Sequence, residues 1–193
     1  MADHTAIYSV GETLAKLLRD NMRELASPDS LTLLAPEEIE IDDTARLNLY
    51  LYEVKEEKHL KNQELEEVNS NELRYPPLSL NLFYVLTPYA KDKRDEHRIL
   101  GEAMRTFHDN PILKGEVLQG SLTEGDEELY LILIPTSLEN PSKIFSHAKP
   151  YRLSVCYEVR SVKIESRRKE KVVRVEERKI EYYQMKMRGR EIG

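Results

Sequence analysis

Two segments of the chain have the hydrophobic spacing of amphipathic helices. Between about residues 5 and 26, apolar side chains recur at steps of three and four, which places them on one stripe: Ile7, Val10, Leu14, Leu17, Leu18 and Leu25. Asp3 or Thr5 can cap the start of this helix, and Ser27-Pro28 ends it. A second helix is predicted from about Asp92 to His108, with these residues facing inward: Ile99, Leu100, Ala103, Met104 and Phe107.

Strands are predicted where apolar and polar residues alternate, because successive side chains of a strand point to opposite faces. The alternating segments are 47–52, 78–86 and 153–159. Leu129 to Ile134 is apolar without alternation, which predicts a strand that is buried on both faces. The order of helices and strands is not the strict alternation of a parallel fold. It favours an α+β fold with a mixed, largely antiparallel sheet flanked by helices.

Three segments have weaker patterns. Val54 to Leu73 is charged and rich in Asn and Glu, and is interpreted as a long surface loop. Lys114 to Asp126 has glycines at 115, 120 and 125 and is interpreted as a short strand between turns. A short helix is predicted from Ser137 or Asn140 to about His147.

Composition narrows the class of protein. The chain has 193 residues, of which 40% are apolar, enough for the core of one domain. A single cysteine, Cys156, cannot form an internal disulfide. No apolar run approaches the length of a membrane span, and the first residues lack the pattern of a signal peptide. We therefore expect a protein that folds in a cytoplasm without membrane insertion.

Charge is unevenly distributed along the chain. The net charge of −6 excludes a generically basic nucleic-acid binder, but residues 160–193 carry +6 and the first 159 residues carry −12. Beyond Ser166 the pattern is β-like and irregular. Two interpretations of the basic end are equally favoured. One is a long, solvated, salt-bridged strand pair, and the other is an arm that pairs with another chain. RNA binding is favoured least, because the segment has no Phe, Trp or Gly-rich platform for bases.

Motifs of catalysis are scarce. The sequence has no phosphate-binding GxxxxGK[ST] or GxGxxG. His97 and His108 share a helix face near Asp109, but no third metal ligand follows at a helical step, so a solvated or capping role is preferred. Cys156 is interpreted as a small packing residue. We expect a protein without catalysis, cofactor or metal; the alternative is an enzyme with an unrecognised site around His97 or His108.

Four stretches together resemble a known family: RLNLYLYEV (46–54), YPPLSLNLFYVLTPYA (75–90), HRILGEAMRTFHDNPIL (97–113) and YRLSVCYEVRSVKIES (151–166). The resemblance is to the cap, or tail-terminator, proteins of extracellular contractile injection systems of the Photorhabdus virulence cassette and antifeeding prophage kind. It covers roughly residues 5–166. The remaining residues match less clearly.

The resemblance implies a structural role. Such a protein forms a six-fold ring that ends the inner tube and contacts the last sheath layer, and its fold is similar to that of contractile phage tail terminators. The implied partners are further copies of the chain and the tube and sheath proteins. The implied place is a phage tail-like particle that assembles in the bacterial cytoplasm. The family offers no catalytic residues to transfer.

We divide the chain into a terminator-like domain, residues 1–166, and a basic β-rich arm or hairpin, residues 167–193. Sheath subunits of such machines exchange terminal strands, so our hypothesis is that the arm pairs with sheath strands through Val172, Val173, Val175, Ile180, Tyr182, Tyr183, Met185 and Met187. A hairpin folded back on its own domain is an equal alternative. A further alternative for the whole protein is an adaptor or assembly chaperone that forms no ring and binds partner strands by β-augmentation.

Overall fold

The computed structural model describes residues 2–36, 38–39, 46–60, 64–69, 72–135 and 152–171. Within these ranges the helices are α1 (Ala6–Asn21) and α2 (Lys93–Asp109). The strands are β1 (Leu31–Thr32), β2 (Leu47–Glu56), β3 (Glu66–Asn69), β4 (Glu72–Arg74), β5 (Leu78–Pro88), β6 (Ile112–Lys114), β7 (Glu128–Ile134), β8 (Val155–Ile164) and β9 (Lys169–Lys171).

The strands form two sheets. The larger has six strands in the order β1-β2-β5-β8-β7-β6, and the smaller has the order β3-β4-β9. β1 runs parallel to β2, whereas the other neighbouring strands are antiparallel. The predicted α+β class with a mixed, largely antiparallel sheet is confirmed.

The main core lies between one face of the six-stranded sheet and the two helices. α1 buries its apolar stripe there, and α2 contributes Ile99, Leu100, Ala103 and Phe107. The Phe107 ring meets Tyr157 of β8 edge-on, with 4.9 Å between ring centres. Both predicted helices are confirmed, although α1 ends at Asn21 and a 3-10 turn, Arg23–Leu25, follows it.

The segment after β6 packs against α1 at Ser9 and Thr13. Two 3-10 turns, Gly115–Val117 and Gly120–Glu124, lie in the segment where a strand was predicted, so that prediction is wrong. Gly120 has a φ of +58°. The backbone N–H groups of Gln119 and Ser121 donate to Thr13 Oγ1 (3.0 Å) and Ser9 Oγ (3.2 Å) on α1. A glycine is needed at 120 because both its backbone angle and the nearby helix exclude a side chain.

Two further predictions are wrong. Residues 54–73 are not one long loop, because β2 continues to Glu56 and the segment also contains β3 and part of β4. β7 is not buried on both faces: Leu129 and Leu131 are buried, but Tyr130 and Leu133 are exposed. β6 pairs with β7 only as far as Tyr130, so β6 does not cover the last part of β7. The short helix predicted at 137–147 lies outside the described residues.

Candidate interaction site

A two-stranded ribbon continues from the large sheet into the small one. β5 pairs with β8 as far as Leu78 and Ile164. Past Pro76-Pro77 the pairing resumes, first with a hydrogen bond from Tyr75 N to Arg168 O (3.1 Å) and then between β4 and β9. The ribbon therefore carries β9 away from the six-stranded sheet, and Lys171 leads directly into the arm residues that begin at Val172.

The base of the arm is held by polar contacts. The Arg168 guanidinium lies 4.0 Å from the centre of the Tyr75 ring. Lys169 Nζ lies 3.2 Å from Glu72 Oε2 on β4. Arg74 forms an ion pair with Glu165 where the ribbon leaves the large sheet. Each such exposed contact contributes about 1 kcal/mol or less, but together they fix the direction in which the chain leaves the domain.

β2 is covered by β1 over only two residues. β1 pairs with Leu47 and Asn48. The Asn48 side chain then forms hydrogen bonds with Thr32 and with the backbone that follows β1. Asn48 Oδ1 accepts from Thr32 Oγ1 (2.9 Å), and its Nδ2 donates to Leu34 O (3.1 Å). Among the described residues, no strand pairs with Leu49–Lys55 on the side away from β5. This unpaired segment of β2, Leu49–Lys55, is hereafter the open edge.

Backbone groups of the open edge point outward at defined positions. At the two ends of β2, Tyr89 N donates to Arg46 O (2.8 Å) and Glu57 N donates to Ser79 O (2.9 Å). Along an antiparallel pair every second residue of a strand bonds to the partner, and the residues between them direct their N–H and C=O groups to the other side. Arg46 and Glu57 bond on the β5 side, and the register shifts by one residue between Leu51 and Glu53, so the alternation changes phase there. The N–H and C=O groups of Leu49, Leu51 and Val54 consequently face away from β5. A peptide strand could bind to them by main-chain hydrogen bonds.

The two faces of the open edge differ in chemistry. On the helix face, Leu51 packs against the core, whereas Val54, opposite Leu82 of β5, is 43% exposed. On the other face, Glu53 lies opposite Phe83, and its carboxylate is 2.8 Å from Lys55 Nζ. A strand added here would therefore meet apolar side chains on one face and a carboxylate on the other.

Electrostatics beyond the end of β2 keep that end acidic. Glu57 accepts hydrogen bonds from Asn81 Nδ2 (2.9 Å) and from the His59 backbone N–H (3.3 Å). These bonds lower the pKa of the Glu57 carboxyl, so it stays ionised. The nearby groove of about 440 Å³ between the two sheets is lined on one side by Glu56 and Glu57. The same groove is also lined by Glu165 and Arg168, so side chains of both signs meet there.

Cys156 and the histidines lie where the sequence predicted. Cys156 is buried on the sheet face opposite the helices, against Val85, which confirms its packing role. Burial raises the pKa of the adjacent Tyr52 hydroxyl, and a hydrogen bond with Cys156 raises it further. His97 and His108 are exposed on α2, and the described part of the chain holds no cluster of three His, Cys, Asp or Glu side chains placed for a metal ion.

The two segments that could bind a partner protein are the arm and the open edge. The arm residues singled out from the sequence, from Val172 to Met187, lie outside the described residues. The open edge was missed, because alternation identifies β2 as a strand but does not reveal which strands flank it. In the described ranges, no helix is both long and apolar enough to cross a membrane.

Comparison with known proteins places the chain in a family. The family described as the Pvc16 N-terminal domain matches residues 9–178. A cryo-EM structure of the sheath/tube terminator of an extracellular contractile injection system, PVC, in the extended state is similar in fold, with a TM-score of 0.67 and 15% identity over 98% of this chain and 67% of that one. The anti-feeding prophage tube terminating cap has a TM-score of 0.59 and 18% identity, over 90% of this chain and 60% of that one.

The chain thus spans about two thirds or less of the length of these two proteins. Among curated proteins, none matches it in sequence. The family match covers most of the chain, and the fold agrees with it, which bears out the resemblance carried by the four sequence stretches. The chain belongs to the Pvc16 N-terminal domain family.

Proposed function

We propose that this protein is a structural cap of a contractile injection system, a hexameric ring that ends the inner tube and joins it to the last sheath layer. The observation that carries the proposal is the family match over residues 9–178, together with a fold similar over 98% of the chain to a sheath/tube terminator. The relatives of known structure are a terminator and a cap, so the role proposed here involves no catalysis and no cofactor.

The edges of the described sheet and the distribution of charge along the sequence support ring formation. A ring closed by rotation joins two different patches of neighbouring subunits. The six-stranded sheet ends in two unlike edges, one at β1 and the open edge of β2, the other at the three-residue strand β6. The acidic body and the basic end of the sequence supply complementary charge.

The partners in this proposal are further copies of the chain and the tube and sheath proteins of the particle. The arm, with Val172–Met187, is proposed as a partner-binding strand. We place assembly in the bacterial cytoplasm, as for a phage tail, with the finished particle free to leave the cell. Neither nucleic acid nor membrane has a role in this proposal.

The test is the solution mass of the purified protein by light scattering over a range of concentrations. Six copies of the 22.6 kDa chain form a species of about 136 kDa, whose symmetry electron microscopy then shows. Because a ring can also close on a template, the protein is mixed with purified tube ends and with sheath. A chain that stays monomeric and binds neither would contradict the proposal. Binding to partner strands as a monomer would favour a non-ring adaptor instead.

A further inference from the structure

We propose that the open edge of β2 is the acceptor of a strand from a neighbouring copy, and that the strand is the start of the neighbour's arm, Val173–Val175. This inference rests on the proposed ring and names the contact that closes it. Its basis is the unpaired backbone of Leu49–Lys55, the chemistry of the two faces of that edge, and the direction in which the ribbon carries β9.

The open edge offers the groups that strand addition needs. Three residues, Leu49, Leu51 and Val54, direct their N–H and C=O groups away from β5; the pairing with β1 ends at Asn48, and within the described ranges no strand pairs with Leu51 or Val54 on that side. Exposed, flat edges are uncommon in natural sheets, because they recruit other strands. Along this stretch β2 has no proline, and none of the described strands lies over it; its protections are the register shift between Leu51 and Glu53 and the charged side chains of Glu53 and Lys55.

The arm sequence matches the two faces of the edge. Val173 and Val175 alternate with Arg174, so a strand places the two valines on one face and the guanidinium on the other. Laid beside β2, the valines contact Leu51 and the exposed side of Val54, and Arg174 lies beside Glu53. Cross-strand apolar pairs and opposite charges are the contacts that stabilise such pairing.

The ribbon makes a neighbouring copy the donor. Lys171 of β9 pairs with Glu72 of β4, and Val54 of β2 lies opposite Leu82 of β5. Glu72 and Leu82 are separated by about ten residues, which is roughly 30 Å measured along the strands. Val173 is only two residues beyond Lys171, a reach of about 7 Å. Along the ribbon this spacing exceeds the reach of the first arm residues, so we assign the open edge to the arm of a neighbour.

The experiment blocks the edge without breaking the sheet. Val54→Pro removes an outward N–H but leaves the bonds to β5, and proline is tolerated at edge positions of this kind. Val54→Thr keeps the N–H and is the matched control. We expect Val54→Thr to assemble like the wild type, and Val54→Pro to associate at least about tenfold more weakly per interface. Circular dichroism and thermal unfolding check that both variants fold.

A charge exchange tests the same contact without proline. Arg174→Glu and Glu53→Arg each weaken assembly, and the double variant regains it, because the pair is restored with reversed signs. A double variant that assembles no better than the single variants would overturn the pairing. So would a folded Val54→Pro variant that forms the ring as the wild type does; in that case the proposed function stands and only this contact falls.

Hydrogen exchange of the peptide covering residues 49–55 identifies the occupant. We expect slow exchange in the assembled full chain and fast exchange in a chain that ends at Lys171. Equal protection in the shortened chain, or protection of the full chain only after sheath protein is added, would overturn donation by a neighbouring copy. All measurements are repeated with tube ends present, and a wild type that forms no ring under either condition would overturn both the ring and this contact.

Discussion

Arg152 Nη1 lies 3.0 Å from Glu96 Oε1 and ties the residues just before β8 to helix α2. The Glu96 side chain is only 2% exposed and Arg152 is 13% exposed, so this is a buried ion pair. The other Glu96 oxygen meets Lys93 Nζ at 2.7 Å, and the Arg152 guanidinium stacks 4.7 Å over the Tyr89 ring. The pair fixes where the chain re-enters the sheet after residue 151.

Breaking this pair should destabilise the domain strongly. Arg152→Ala leaves a buried carboxylate with only the exposed Lys93 as a partner, and we expect the free energy of unfolding to fall by about 3 kcal/mol. Lys93→Met is the control: Lys93 is 72% exposed, so its loss costs about 1 kcal/mol or less. Urea denaturation measures both. Equal losses from the two variants would contradict the assignment of Arg152 as the main partner.

Two glycines should respond to alanine in opposite directions. At Gly120, with φ of +58°, an added Cβ would lie 2.5 Å from Ser9 Oγ, so Gly120→Ala should lower stability by about 2 kcal/mol. At Gly101, inside α2, nothing lies within 4 Å of the added atom, and Gly101→Ala should raise stability by about 0.5–1 kcal/mol. Thermal unfolding checks both signs. A Gly120→Ala variant as stable as the wild type would show that the turn shifts away from α1 at no cost.

The domain should lose stability in alkali. Burial raises the pKa of Tyr157 from 10.0 to about 12, because the phenolate is poorly solvated there. The unfolded chain releases this proton at lower pH than the folded one, so the stabilisation is complete below pH 10 and is lost as the pH rises towards 12. Tyr157→Phe should unfold with a shallower pH dependence over that range. An unchanged slope in that variant would assign the alkaline loss to other tyrosines.

Shortening the chain should distinguish the ribbon from the arm. A chain ending at Lys171 keeps β9 paired with β4, and we expect it to be as stable as the full chain. A chain ending at Ser166 loses that pairing and the Arg168–Tyr75 contact, and should be about 1 kcal/mol less stable, with faster amide exchange in β4. Equal stability of the two shortened chains would show that β9 contributes nothing to the domain.

Sequence periodicity predicted the elements whose stability comes from burying one apolar face. α1, α2, β5 and β8 are of this kind, and their positions follow from spacing alone. β3, β4 and β9 could not be found this way, because their partners are joined through charged side chains such as Glu72 and Lys169, and alternation of apolar residues is absent. The strand predicted within 114–126 was wrong because glycine with positive φ fits both the turn of a hairpin and a 3-10 turn.

Of the two parts of the proposed contact, only the arm was singled out from the sequence, and its role stays a prediction. The arm was singled out by its charge and its alternating valines, which are properties of the sequence itself. The open edge depends on strand order: β2 is the second strand of the larger sheet, β1 ends at Thr32, and the Asn48 amide donates to the Leu34 carbonyl just beyond it. A side-chain hydrogen bond across fourteen residues of sequence leaves no periodic signal.

The position of β8 has a consequence for how the subunit is made. β8 lies between β5 and β7, yet it is the last strand of the six-stranded sheet to be synthesised. Until residue 164 has left the ribosome, β1-β2-β5 and β6-β7 have no strand to join them, and the closing contacts are long-range ones that form slowly. An interrupted translation product therefore lacks a complete sheet. Only a chain synthesised through β8 would present the complete six-stranded sheet to a partner.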